Sequence, residues 1–356
     1  MVRRAALSLG LVLMFAGAGA SMIRASERGE GEPTEVSEEA IRAAVEKSLP
    51  LLEAGARGSL EQRARCFTCH NQGLPILALT VARTRGFSID AEHLQRHLEH
   101  IAGFLRKNAE NYREGRGTGG QADTAGYALW TLESGGWPAD DATAAVAEYL
   151  LRFHSDRDHW EAVSRRPPSE QSHFTTTYLA LRGLRTYGTS EQQERIAARF
   201  AAARNWLIAT PVADTEDRVF RLRGLFIAEA PEEELRRAAE ELLAEQREDG
   251  GWPQLPGGSS DAYATGSALV ALCETGRLST TDARYHRGLR RLLELQLEDG
   301  SWHVVSRSKP FQTYFESGYP HGADQFISIA AAGWATRALL LALPESPEPL
   351  PLVSDP

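Results

Sequence analysis

The sequence predicts an all-α protein, an α/α toroid of about six helical hairpins. Apolar residues recur at helical spacing almost throughout, with few runs of strict alternation. Strong helix formers (Ala, Leu, Glu, Arg and Gln) fill those stretches, and Gly, Pro, Ser and Asp collect between them. Two kinds of helix also alternate, one amphipathic and charged, the other rich in apolar and small residues.

The amphipathic set covers Glu38–Leu52, Ala91–Lys107, Asp140–Phe153, Glu191–Ile208, Glu232–Arg247 and Thr281–Leu297. These present a charged face to water. The apolar set covers Leu74–Arg85, Thr124–Leu132, Thr175–Leu184, Val219–Ala228, Ala262–Thr275 and Gln325–Leu343. These belong on an inner ring. One hairpin cannot bury its own apolar face, so neighbours must stack. An open solenoid has the same local pattern, and periodicity does not separate the two.

Ahead of the helices, Arg3 and Arg4 precede an apolar stretch ending in Ala16-Gly17-Ala18-Gly19-Ala20. This reads as an export signal over residues 1–25, or as a membrane anchor if it is retained. Residues 26–37 read as a flexible acidic lead-in, 38–343 as one toroid domain, and 344–356 as a Pro-rich tail. The expected location is therefore periplasmic or extracellular, with membrane anchoring as the alternative. No later segment is apolar enough to span a bilayer. The net charge of −9, without a dense basic stripe, argues against nucleic acid as a partner.

A loop repeat accompanies the helices. Gln246-Arg-Glu-Asp-Gly-Gly-Trp252 recurs as Gln296-Leu-Glu-Asp-Gly-Ser-Trp302. In each, Gly stops an outer helix and Trp can pack beneath the turn. These segments resemble the QW repeats of the squalene–hopene cyclase and prenyltransferase superfamily. The helices starting at Asp261 and Asp123 are similar to that superfamily's inner helices, and the likeness runs over roughly residues 120–343. It implies the α/α toroid. Exported bacterial toroids with a Cys-x-x-Cys-His motif ahead of the first inner helix are a branch that the chain resembles in residues 66–79 and 321–328.

The resemblance does not bring the cyclase acid with it. The family's Asp-x-Asp-Asp-Thr-Ala stands here as Gly120-Gln-Ala-Asp-Thr-Ala125, so Ala122 replaces the proton donor and only Asp123 remains. A lone carboxylate near a helix start is more simply an N-cap than a strong acid. The zinc set of the prenyltransferase branch is missing too, because Cys273 lies inside an apolar helix with no Asp-x-Cys pattern.

A central pocket for an apolar small molecule is still expected. Asp123, Asp261 and Asp324 stand at inner-helix starts as candidate catalytic groups or caps. Tyr127, Trp130, Tyr178, Tyr263, Phe326 and Trp334 are candidate pocket residues, or else packing between the rings.

The most specific chemical signal is Cys66-Phe-Thr-Cys69-His70. Two thiols can add to haem vinyl groups while the adjacent imidazole ligates iron. Haem c is therefore the expected cofactor, with a redox partner implied. A Cys66–Cys69 disulfide and a zinc site remain open as alternatives. The three methionines stand at 1, 14 and 22, so a chain processed at the signal has none left for the iron. His93 and His97, with His100 beside them, share one face of a following helix and are candidate sixth ligands, or a solvated outer face.

Overall fold

The computed structural model describes residues 35–309 and 313–346. The expected export signal lies outside them, as does most of the tail. Among the described residues no helix is long and apolar enough to cross a membrane.

Thirteen helices follow one another among the described residues. They are α1 (Glu38–Gln62), α2 (Leu74–Thr84), α3 (Ala91–Lys107), α4 (Ala109–Arg113), α5 (Gln121–Ser134), α6 (Asp141–Arg152), α7 (His173–Tyr187), α8 (Gln193–Ala209), α9 (Thr215–Ile227), α10 (Glu232–Ala244), α11 (Ala262–Glu274), α12 (Ala283–Leu295) and α13 (Gln325–Leu341). Each of the twelve helices expected from the sequence is present. The expectation missed the one-turn α4, and it stopped α1 ten residues short. Glu53–Gly58 is rich in small residues and looks like a loop, but its glycines are sites of close approach. A Cβ on Gly58 would stand 2.0 Å from the Ser317 carbonyl oxygen.

Helices α2, α5, α7, α9, α11 and α13 form an inner ring, each packed on the next. The ring is closed because α13 packs on both α11 and α2. That contact decides between toroid and open solenoid. Outer helices α1, α3, α6, α8, α10 and α12 back the inner ones. The first outer helix ties to the last inner one through Ser48 Oγ and Thr336 Oγ1, 2.9 Å apart.

The loop repeat works as a clip. Trp252 Nε1 donates to the Leu242 carbonyl at 2.8 Å, and Trp302 Nε1 to the Leu292 carbonyl at 2.8 Å. Each Trp is fully buried beneath the last turn of its outer helix, so its ring packs while its one polar atom satisfies a helix-end carbonyl. Gln246 Nε2 reaches the Arg284 carbonyl on the next outer helix, and Gln296 Nε2 reaches the Ala44 carbonyl. The second Gln therefore joins the end of the repeat array back to α1. A third clip was not read from the sequence. Trp160 Nε1 donates to the Leu150 carbonyl at 2.8 Å, across the same ten-residue span. The Gln and Gly that mark the other two copies are missing there, and Arg199 lies over the Trp160 ring instead, at 3.8 Å.

The axis of the ring is filled rather than hollow. Trp130 packs against Tyr178, Trp334 and Tyr127, with ring centroids 5.5, 6.0 and 6.2 Å apart. Arg223 is inserted among them, over the rings of Trp130, Tyr178 and Trp334. Its charge is met by Glu274 at 3.0 Å, which also holds Arg337. A guanidinium buried this deeply persists because it is both paired and stacked on aromatic faces.

Candidate functional site

The Cys-x-x-Cys-His segment forms the link from α1 to α2. Thr68 begins a π turn spanning Cys69–Gly73, whose backbone closes with Gly73 N–H donating to the Thr68 carbonyl at 3.2 Å. Gln72 reaches back to accept from Thr68 N–H at 2.9 Å. This wider turn aims successive side chains in different directions. Cys66 is exposed, Cys69 is buried, and both are free thiols. Both line a vestibule of about 1070 Å³. His70 lines an adjoining recess of about 180 Å³, and Arg63, Thr68, Arg166, Pro167 and Lys309 border both spaces.

His70 Nε2 lies 2.7 Å from a carboxylate oxygen of Glu170. Glu170 is buried and is also held by Arg166 at 2.8 Å. Burial alone would raise the proton affinity of Glu170, but His70 and Arg166 outweigh it and keep the carboxyl below its usual range. The effect on its neighbours is the opposite. Burial, reinforced by the Glu170 charge, pushes both Asp123 and the Cys69 thiol well up. Glu170 and Arg166 were not singled out in the sequence. They stand in a polar Arg-Pro-Pro-Ser-Glu loop with no periodicity to give them away.

Asp123 is not the N-cap that the sequence suggested. It sits inside the first turn of α5, 1% exposed, and accepts a hydrogen bond from Thr176 of α7. Asp261 is a true cap, accepting from Tyr263 N–H at 2.9 Å and Ala264 N–H at 3.1 Å. Asp324 accepts from His303 Nε2 and Ser306 N–H, both at 2.9 Å. The structure does not bring these three carboxylates together.

The expected aromatic pocket is corrected as well. Tyr127, Trp130, Tyr178, Tyr263 and Trp334 are buried, and the first three pack with Trp334 into the plug on the axis. Of the six, Phe326 lines the recess beside His70, and Tyr263 borders a narrow crevice beside Glu216. Cys273 is half-buried, and burial pushes its thiol up to about 11.

Of the histidines on α3, the candidate sixth ligands His93 and His97 are neither solvated nor open to the vestibule. His93 and His97 are buried with their Nε2 atoms 2.8 Å apart, and neither lines the vestibule. Burial, then the neighbouring His93, pushes His97 down to about 3, so the pair is held neutral. His100 Nε2 instead meets the Cys66 carbonyl at 3.2 Å. Among the described residues no group of three or more His, Cys, Asp or Glu side chains is gathered to hold a metal ion, which leaves the zinc alternative without a ligand set.

Residues 141–346 match the squalene-hopene cyclase C-terminal domain. The chain belongs to this family. The match begins after the Cys-x-x-Cys-His segment and Asp123, so family membership does not bear on their chemistry. In fold, the chain is similar to an unsaturated glucuronyl hydrolase from Streptococcus agalactiae, with 12% identity, a TM-score of 0.56, and coverage of 86% of this chain and 92% of that one. It is also similar to the type II terpene cyclase MstE from Scytonema, with 14% identity, a TM-score of 0.49, and coverage of 85% and 98%.

Proposed function

We propose that this squalene-hopene cyclase relative is an exported, haem-c-bearing toroid that works at its vestibule in ligand binding or electron transfer. One observation carries the reading: Cys66 and Cys69 line the same space, about 1070 Å³, a size that suits a cofactor pocket. Both are free thiols, as thioether formation requires. Cys66 and Cys69 would hold the haem and His70 would serve the iron. The haem, when bound, would supply one-electron chemistry. In this structure His70 Nε2 is engaged by Glu170, itself held by Arg166, and that contact would have to open for His70 to serve the iron. The export expected from residues 1–25 agrees with this reading, because haem c is attached outside the cytoplasm.

The test is a pyridine haemochrome spectrum and intact mass on protein matured in a host competent for haem c. A haemochrome band with a mass increase of one haem is expected. Cys66→Ala/Cys69→Ala should abolish both. A colourless wild-type product of apo mass, with two free thiols or a disulfide, sinks the proposal.

A second reading, an enzyme of the cyclase type, has one observation in its favour. Burial and the Glu170 charge keep Asp123 protonated to unusually high pH, as an acid catalyst requires. Product formation from polyprenyl substrates that disappears in Asp123→Asn would establish it. Absence of products from the wild type would end it.

A further inference from the structure

The charge of the vestibule is opposite to that of the chain. Six cations line it with no ion pair among the described residues, though Arg307 acts on Asp214 at longer range: Arg63 and Arg65 after α1, Lys107 at the end of α3, Arg165 in the loop before α7, and Arg307 and Lys309 in the loop before α13. The one acid on that wall is Glu170, already engaged by His70 and Arg166. The chain as a whole carries −9, and most of its other arginines are in ion pairs, such as Arg195 with Glu148 and Arg218 with Glu245.

No local run of basic sequence explains the cluster, because four separate segments converge to make it. Two further features point the same way. The N terminus of α5 opens on the vestibule at Gly120 with no side-chain cap. In the adjoining recess, the buried amide of Asn71 has neither its oxygen nor its nitrogen satisfied by the protein, next to the apolar surfaces of Phe315, Phe326 and Ile327.

We propose that the vestibule is a binding site for a small polyanion, a molecule with at least two carboxylate or phosphate groups and a compact apolar part that enters the recess toward Asn71. A cleft lined by one sign of charge with low-dielectric walls concentrates its field and its counter-ions. The concave shape fits a small molecule better than a protein surface. The two propionates of a haem would engage only some of the six cations, and the site does not require the haem.

The experiment uses full-length Cys66→Ser/Cys69→Ser protein, which cannot attach haem covalently, so that this result and the haemochrome result stand apart. Isothermal titration is run with inorganic pyrophosphate, citrate and acetate at low and physiological salt, then repeated on Arg165→Gln/Arg307→Gln/Lys309→Gln in the same background. Saturable binding of pyrophosphate, citrate or both is expected, stronger than acetate and weakening with salt. The preferred anion tells phosphate from carboxylate. Removing three surface cations should weaken binding by about tenfold or more, with the urea midpoint unchanged because all three side chains are exposed. The proposal is overturned by no saturable binding of either polyanion, by equal affinity in the triple variant, or by capture of poly-glutamate but not the small anions.

Discussion

Glu216 is the group whose replacement tests the electrostatics of the inner ring most directly. It lies in the first turn of α9, 4% exposed, accepting from Thr175 Oγ1 at 2.9 Å, while its second oxygen is buried without a partner. Burial is the main cause that raises its proton affinity, to about 8 from an ordinary 4.5. The native state therefore keeps a proton that the unfolded chain releases, and stability falls as pH rises through that window. Each tenfold gain in proton affinity corresponds to about 1.4 kcal/mol, so the full effect is about 5 kcal/mol between pH 4.5 and 8. Glu216→Gln mimics the protonated form and removes this dependence. Urea unfolding at closely spaced pH values should show the two proteins near each other at pH 4.5, and the variant more stable by several kcal/mol at pH 8. A difference that stays constant with pH would refute the argument, because it would mean that the glutamate titrates normally.

The other expectations concern the clips. Trp252→Phe shrinks the buried ring and removes the indole bond to the Leu242 carbonyl, which keeps the Glu245 N–H at 3.3 Å, so it should lower stability by about 1–3 kcal/mol. Trp160→Phe should lie in the same range, since its hydrogen bond has the same length and span; a negligible cost at Trp160 in urea titrations would show that the third clip is only a geometric likeness. Gly300→Ala should destabilise by more than about 1 kcal/mol, since φ is +88° and the added Cβ would stand 2.5 Å from the Lys47 carbonyl oxygen. An unchanged thermal midpoint would show that the junction between the last repeat and α1 is loose.

The helices were legible because their signals are local. Apolar spacing and turn residues located α3 to the residue and the other expected helices closely, apart from the far end of α1. Closure of the ring was not legible, since it depends on α13 meeting α2, and no periodicity reports that contact. The clip at Trp160 was hidden because the sequence mark of the repeat is its Gln and Gly, whereas its physical content is a buried indole bonded to a helix end. The aromatic side chains on the inner helices were identified, but their destination was not. Whether six rings line a hole or fill it depends on Arg223, Arg182 and Arg337 reaching among them, and charged residues on an inner helix do not announce which way they point. At the site, the motif named Cys66, Cys69 and His70. The carboxylate that holds the histidine comes from a loop a hundred residues later, joined to it only by tertiary structure.

Because α13 rests on α2, the protein has a fixed circumference. A stack of hairpins that ends in solvent tolerates one more or one fewer unit, since its last member needs only a polar outer face. Here the final helix is a keystone, bonded to a helix that precedes it by nearly three hundred positions in the chain. Truncation before it would not give a smaller ring but a gap with apolar edges on both sides. A nascent chain is in that state until its last hairpin has been made, so the mouth, which draws on segments from both ends of the chain, takes shape only when the circle does.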